Sequence, residues 1–497
     1  MIARLLIADY TSGTMPAWQP GVVNATGRTV IGPLGRTVQV PANTAAFEHD
    51  PATGACLGLS LNPGAVQYLD DWGDPGGDAW VDNVSTVGPA SGAIWGLFSY
   101  IEIVSGGATW NRRRQTVTGS WSAGDKVTIS LIYAAGGGNS SDAVRIVLDD
   151  VANDTLIIIA GDVGSPSVRN DDAGTVSNDS TLALADGWYW YRATVTLTQS
   201  TTELRLGLGP NSITTGETVL FAAANLVSEI VPSSFIAGPS RAADVVPDYF
   251  WGDGINSGAF VVGVDLPYGH IGDQPIVRLR DADNSDLLEL RGNTSANYSA
   301  IHQATTSQAV FVGPSTLSGP MRMATSFSDD DFAASFDGGV LQGDTSGTAP
   351  TVTGLAFPEP VTPVIFQAIE VWSGDISDAD LQRLSLGQGP ASAHTIPVGA
   401  AGLVYSQAVD AAGAVQGQQL SGRALAAPMA VDAAGLVQAQ VFRSQSLGFP
   451  LAIGAVGVSQ AQALSANGLA HDFEMSSAYA VPNLTALPGM TRIVEQL

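Results

Sequence analysis

The densest chemistry in the sequence lies between residues 70 and 80, where Asp70-Asp-Trp-Gly-Asp-Pro-Gly-Gly-Asp78 is followed by Ala79 and Trp80. Asp70, Asp71, Asp74 and Asp78 bring carboxylate oxygens together on a flexible Gly/Pro loop, which is the donor set calcium prefers. The competing reading is a solvated hairpin tip. Trp72 and Trp80, both in Gly/Asp-rich sequence, are the indoles placed to offer a ring face to a sugar beside polar hydrogen-bonding groups. Trp95, Trp110 and Trp121 are further candidates, with Trp251 in the next block. Trp188 and Trp190 fall on one face of a strand and are read as core. Asp281-Ala-Asp-Asn-Ser-Asp286 is a second acidic loop, but Asp286 stands where an EF-hand requires glycine.

Catalytic signatures are missing. Lys126 is the only lysine and follows Asp125, so no phosphate-binding GK[ST] exists. Gly207-Leu-Gly-Pro-Asn-Ser212 lacks the last glycine of a dinucleotide fingerprint. There is no G-x-S-x-G elbow and no H-E-x-x-H. A glycosidase needs a carboxylate pair across one bond, and 46 acidic residues make a chance pair certain. Glu48-His-Asp50 opens like an E-x-D-x-x-E catalytic strand, but Thr53 replaces the next acid. The chain is therefore expected not to be an enzyme, and no cofactor other than calcium is expected.

These residues must be carried by strands. The 57 glycines and 27 prolines fall between short runs of Val, Ile, Thr and aromatic residues, a texture of strands and turns. Residues 1–58 read as an N-terminal arm. Residues 59–236 carry strands such as Lys126–Tyr133 and Trp188–Leu197 and read as a jelly-roll sandwich. A Pro-rich connector near 237–246 leads to a second β block, 247–386, that closes on a short helix beginning near Asp375 with Ser377 as its N-cap.

From 388 to 497 the chain repeats every 11 residues, as in 410 DAAGAVQGQQL and 432 DAAGLVQAQVF. The last position of each unit is apolar (Val409, Leu420, Val431, Phe442, Ile453, Leu464, Met475). Large and small residues alternate, which is period two along a strand, and a 22-residue super-period suggests strands going out and back. A helical 11-residue stripe is opposed by Gly402, Gly413, Gly435, Gly457 and Gly468 and by Pro428 and Pro450.

The net charge of −26 and pI of about 4.2 argue against nucleic-acid partners and anionic membranes. No apolar run reaches membrane-spanning length, and none near Met1 suits a signal peptide. Cys56 is the single cysteine, so no intrachain disulfide framework can form.

Three segments carry a resemblance. Phe47-Glu-His-Asp-Pro-Ala-Thr-Gly-Ala-Cys-Leu-Gly-Leu59 resembles a segment near the start of tailed-phage virion proteins. Ser233-Ser-Phe-Ile236 with Ser240-Arg-Ala-Ala-Asp-Val-Val246 resembles the connector closing a carbohydrate-binding-module-like jelly roll in the same proteins. Asp331-Phe-Ala-Ala-Ser-Phe-Asp-Gly-Gly339 with Ile376-Ser-Asp-Ala-Asp-Leu-Gln-Arg-Leu-Ser385 resembles the late strands and final helix of a laminin-G/concanavalin-like sandwich. The tail is similar to repeats ending virion and gene-transfer-particle proteins. After Leu59 the chain departs from that pattern, with Ser60-Leu-Asn-Pro-Gly. The resemblance implies an all-β head or tail fibre, spike or decoration protein. It would be assembled in a bacterial cytoplasm, sit on a virion beside other virion proteins and bind host surface polysaccharide. Small residues on one face of the tail predict a homo-oligomer, a trimer by preference. The alternatives are a purely structural capsid or tail component and a capsule-degrading tail spike.

Overall fold

A computed structural model describes residues 3–389, apart from 20, 25, 109, 138–142, 237, 270–272, 293–295 and 314–317; beyond 389 it describes only the backbone of the strands. The fold is all-β, with a single α-helix among the described residues. Residues 1–389 form one compact unit and 390–497 another.

In the first unit, two six-stranded antiparallel sheets make a sandwich. One runs Gly174–Ala183, Trp188–Leu197, Lys126–Ala135, Thr218–Val227, Phe98–Ser105, Ser85–Ile94. The other runs Ser167–Asp171, Thr155–Asp162, Ala143–Asp150, Thr201–Pro210, Arg112–Trp121, Val81–Asn83. Alternation decides the faces. Tyr191, Ala193 and Val195 point into the shared core with Ile129, Leu131, Leu206 and Leu208. Trp188 and Trp190 point the other way, to a second apolar layer with Ile31, Phe98 and Phe235. As read from the sequence, both are core, at 6% and 2% exposure. The strand is apolar on both faces because the hairpin Arg28–Ile31/Thr37–Val40 and the segment around Phe235 cover its outer side.

A second sandwich packs two more sheets around Phe260, Val262, Leu279, Leu290, Phe311 and Phe366. One is ordered Tyr249–Ile255, Val352–Ala356, Gln274–Arg280, Leu287–Gly292, Asn297–Gln303, Thr306–Val312. The facing sheet includes Gly258–Leu266 and Val364–Ser373, and the helix Asp378–Ser385 lies on its outer side through Leu381 and Leu384. Ser377 caps that helix, its hydroxyl accepting the Asp380 N–H at 3.2 Å, as expected.

The segment 1–58 differs from a free arm. Ala3–Asp9 pairs with Val364–Ser373, Cys56–Leu61 pairs with the same strand, and Phe47–His49 pairs with Cys56–Leu61. Residues 59–61, expected to open the first sandwich, thus complete the second. Pairing across some three hundred residues of sequence leaves no local signature, so an arm and an edge strand read alike. Around the connector, Ser240–Arg241 pairs with Ala65–Val66. Arg241, 2% exposed, pairs with Glu229 and donates to the carbonyls of Pro63 and Ser234 at 2.8 and 2.9 Å. Arg28, 1% exposed, pairs with Asp244 and donates to the Ser60 carbonyl at 2.9 Å.

In the second unit, strands 22 residues apart pair parallel and in register: Val409, Val431, Ile453 and Met475 form one row, and Leu420, Phe442 and Leu464 another. Successive 11-residue units alternate between two sheets. That is the 22-residue period read from the sequence, its rungs supplied by one chain. Gln407, Gln418, Gln440 and Gln462 lie in these strands, and their side chains lie outside the described residues.

Candidate functional site

Trp80 cannot offer a ring face. It is 2% exposed, its Nε1–H donates to the Asp71 carbonyl at 3.1 Å, and Phe221 packs edge-on at 5.1 Å. Trp72 is half-buried against Phe98 and Phe235, at 6.2 and 6.0 Å. Glycine and aspartate around both indoles suggest an open loop; the loop folds Trp80 inward, where an indole buries large apolar area, and leaves Trp72 partly open.

The acidic loop is also accounted for without an ion. The Asp74 N–H donates to the Asp71 carbonyl at 3.0 Å and the Gly77 N–H to the Asp74 carbonyl at 2.9 Å. Asp71 accepts the Ala79 N–H at 3.3 Å, and Asp74 accepts the Gly76 N–H at 3.1 Å. Arg113 supplies the positive charge. Its Nε donates to the Pro75 carbonyl at 2.5 Å and its Nη2 to the carbonyls of Gly76 and Gly77 at 3.4 and 3.3 Å. A guanidinium thus gathers three successive backbone carbonyls of the loop. Among the described residues no group of three or more His, Cys, Asp or Glu is placed to hold a metal ion. The 70–78 segment is an arginine-pinned turn in which Asp71 and Asp74 each accept a backbone N–H. The 281–286 loop is closed likewise, Asp286 accepting the N–H groups of Ala304 and Thr351 at 2.8 and 2.7 Å.

The arrangement with the marks of a binding site sits at one end of the first sandwich and is built on Trp95. Ile94 and Phe98 are cross-strand partners, and the Leu97 N–H donates to the Ile94 carbonyl at 3.0 Å. The two central residues of this turn, Trp95 and Gly96, have φ of 51° and 72°. Such turns favour Asn-Gly, because L residues with larger side chains clash in the left-handed region. Tryptophan there is a strained choice, and strain of this kind gathers where a side chain must be presented.

Two further loops meet it. Trp95 donates its Nε1–H to Asp186 Oδ2 at 3.0 Å, and Asp186 is itself left-handed, at φ 61° and ψ 22°. Arg36, from the turn of the covering hairpin, pairs with the same carboxylate at 3.1 Å. The Ala185 N–H donates to the Gly35 carbonyl at 2.8 Å, which ties these two loops together. The Trp95 hydrogen bond, then that from Arg36, hold the Asp186 carboxyl below its ordinary 3.8, so it remains an ionised acceptor at neutral pH. Tyr100 is half-buried and edge-on to Trp188 at 5.5 Å, and Trp95, Leu97, Tyr100 and Leu182 all pack against the same apolar layer. The site therefore offers an oriented indole, a phenol, an acceptor and a donor, all partly open to water.

Trp95 was among the sequence candidates; Asp186 and Arg36 were not, since only the fold brings them from distant loops. Trp110 is the more exposed indole, at 55%, but it lies beyond the opposite end of the Phe98–Ser105 strand. Its carbonyl accepts Asn83 Nδ2 at 3.3 Å. Trp121 is buried, and Trp251 is half-buried against the second core.

No protein-family model matches the chain, and no curated protein matches it. Solved structures do. A carbohydrate-binding module of a Ruminococcus gnavus sialidase bound to α2,3-sialyllactose matches with a TM-score of 0.23 at 12% identity, covering 26% of this chain and 83% of that one. A mannan-recognising carbohydrate-binding module matches with a TM-score of 0.23 at 11% identity, over 34% of this chain and 98% of that one. Domains LG4-5 of the mouse laminin α1 chain match with a TM-score of 0.20 at 11% identity, over 60% and 95%. Likeness at this level carries no argument about ligands, and no helix among the described residues is long and apolar enough to cross a membrane.

Proposed function

We propose that this chain is a non-enzymatic structural protein of a phage-like particle that binds host surface glycan through the Trp95 turn. The observation that carries the binding reading is the indole held at φ 51° and aimed by Asp186. A turn selected for stability alone would place Asn there. An oriented aromatic face beside convergent donors and acceptors is the chemistry that recognises a sugar, whose ring carries apolar C–H faces and a rim of hydroxyls. Arg36 reaches both Asp186 oxygens through Nη2 alone, at 3.1 and 3.4 Å, and both side chains are about half exposed, so Nη1–H groups and carboxylate lone pairs can meet ligand hydroxyls.

Virion attachment rests on the three sequence segments described above. On this reading the parallel β-repeats of 399–496 act as the stalk or anchor of a homo-oligomer, a trimer by preference. The test is a glycan array probed with the full chain, paired with a reducing-end assay on any polysaccharide that binds. Binding without new reducing ends is the expected result. Released ends would replace the reading with a capsule-degrading enzyme, and an array without a single bound glycan would leave a purely structural component.

A further inference from the structure

The first sandwich has a sheet face that the Trp95 site does not use. The sheet containing Arg112–Trp121, Ala143–Asp150 and Thr201–Pro210 turns Val117, Ile146, Leu148, Leu204 and Leu206 to the core. The alternate residues therefore face out. The register sets Thr116, Arg205 and Asp149 in one row, Arg114, Gly207 and Val147 in the next, and Gly209 beside Arg145 in a third. Arg112, two residues before Arg114, shares the face. In a chain with only 20 basic residues and a net charge of −26, four arginines meet on one side of one sheet.

Their charge is not balanced. Arg112 Nη2 pairs with Asp149 at 2.7 Å, and Arg205 lies 3.8 Å from the same carboxylate and 3.7 Å from Glu203. Arg114 and Arg145 make no ion pair and no side-chain hydrogen bond among the described residues. The Nε of each is buried without an acceptor, while the Nη groups are open to water. Burial, then the charges of Arg205 and Arg112, hold Arg114 below the ordinary arginine value, and burial, then Arg112, do the same to Arg145; Asp149 opposes both. Like charges set side by side on a sheet destabilise it. Gly207 makes room for the crowding, since a Cβ there would stand 2.9 Å from Arg112 Cδ and Arg114 Cβ. Glycine inside a strand weakens it and marks the close approach of another group. The face carries repulsion and unmet N–H groups that a bound oxyanion relieves.

We infer that this face binds an acidic polysaccharide, two of whose carboxylates pair with Arg114 and Arg145. A guanidinium fork matches a carboxylate side by side. The two arginines stand two strands and two residues apart, a Cα separation of about 12 Å by strand geometry, which suits two anionic groups along a sugar chain. Sparse charge favours a saccharide over a nucleic acid. A duplex carries one charge per about 1.7 Å, and the −26 of the whole molecule repels so dense a polyanion. None of the outward residues in these three rows is aromatic, so an unpaired base has no ring to stack on. The inference does not rest on the Trp95 reading, since Trp95 lies at the end of the opposite sheet and each site is tested by its own variants.

The experiment is isothermal titration of the full chain at neutral pH and low salt with a hyaluronan octasaccharide, which bears one carboxylate per disaccharide, and with its neutral methyl ester. The acid form should bind more tightly by about tenfold or more, the scale of one charge-assisted pair. Arg114→Gln and Arg145→Gln should each weaken the acid form, and the double variant should abolish the preference. Tm should stay at or above wild type in all three, because neither arginine has a partner to lose and each removal relieves repulsion. Lys126→Gln, which removes one exposed positive charge from the opposite sheet, and Trp95→Ala should leave the preference intact. Equal affinity for both forms, absence of binding by the acid form, a preference that survives the double variant, or tighter binding of a single-stranded oligonucleotide of equal charge would overturn the inference.

Discussion

At the scale of single residues, the account turns on Trp95 and on the guanidinium of Arg113. Trp95 sits where an L side chain is strained by about 1–2 kcal/mol, and its partial burial returns a similar amount. Trp95→Asn relieves the strain and removes the packing, so stability by chemical denaturation should change by less than about 1 kcal/mol. A loss above about 3 kcal/mol would mark Trp95 as a core anchor rather than a presented side chain. Arg113 makes a different prediction. Because it holds the carbonyls of Pro75, Gly76 and Gly77, a chelator should leave the melting curve unchanged. Arg113→Gln should cost about 2–3 kcal/mol and open the 70–78 loop to protease. A chelator-induced fall in Tm reversed by calcium would restore the metal reading. The sequence displayed the carboxylates at 70–78 openly. The cation that satisfies the loop stands on a strand dozens of residues later, which spacing cannot reveal.

At the scale of elements, the joint between the sandwiches is made of buried ion pairs, and two measurements probe it. Arg241→Ala leaves Glu229 buried without its partner, and burial already pushes that carboxyl upward, so the expected cost is about 3–5 kcal/mol. A cost near zero would show that water reaches the pair. Glu48 joins the covering hairpin to the Phe47–His49 strand, its Oε1 accepting the Ile31 N–H at 3.0 Å. Burial raises its pKa from 4.5 to about 7, against the opposing effect of that hydrogen bond and of Arg192 and Arg28. Its folded pKa is above its unfolded one, so the folded state holds the proton between these values and stability falls as pH rises through the window. Thermal melts at about pH 5 and about pH 8 should show a smaller fall for Glu48→Gln than for wild type. Identical slopes would remove Glu48 from the account. Element type was largely legible: the helix at Ser377, the strand Trp188–Leu197 and the 22-residue period all follow from local pattern. Partnership was not. Ala3–Asp9 and Cys56–Leu61 carry ordinary strand sequence, and nothing local marks a partner near residue 370. The candidate site was legible in part, since Trp95 was visible as an indole but its left-handed turn, Asp186 and Arg36 belong to the folded state.

At the scale of the whole molecule, the tail supplies its own parallel rungs within one chain, so oligomerisation must be tested separately from folding. Deleting 388–497 should convert an oligomer to a monomer by light scattering while the sandwiches keep their melting transition. A full-length protein already monomeric would remove the stalk reading without touching the binding site. The central claim is that glycan is bound at the Trp95 turn, and two indoles compete for that role: Trp95, strained and aimed by Asp186, and Trp110, the more exposed. The direct measurement is the affinity of the best array glycan for wild type, Trp95→Ala and Trp110→Ala by surface plasmon resonance. The account predicts that Trp95→Ala weakens binding by about tenfold or more, the scale of one lost aromatic contact with its hydrogen-bonded neighbour, and that Trp110→Ala binds as wild type does. Undiminished binding by Trp95→Ala, with the loss falling on Trp110→Ala instead, would contradict it.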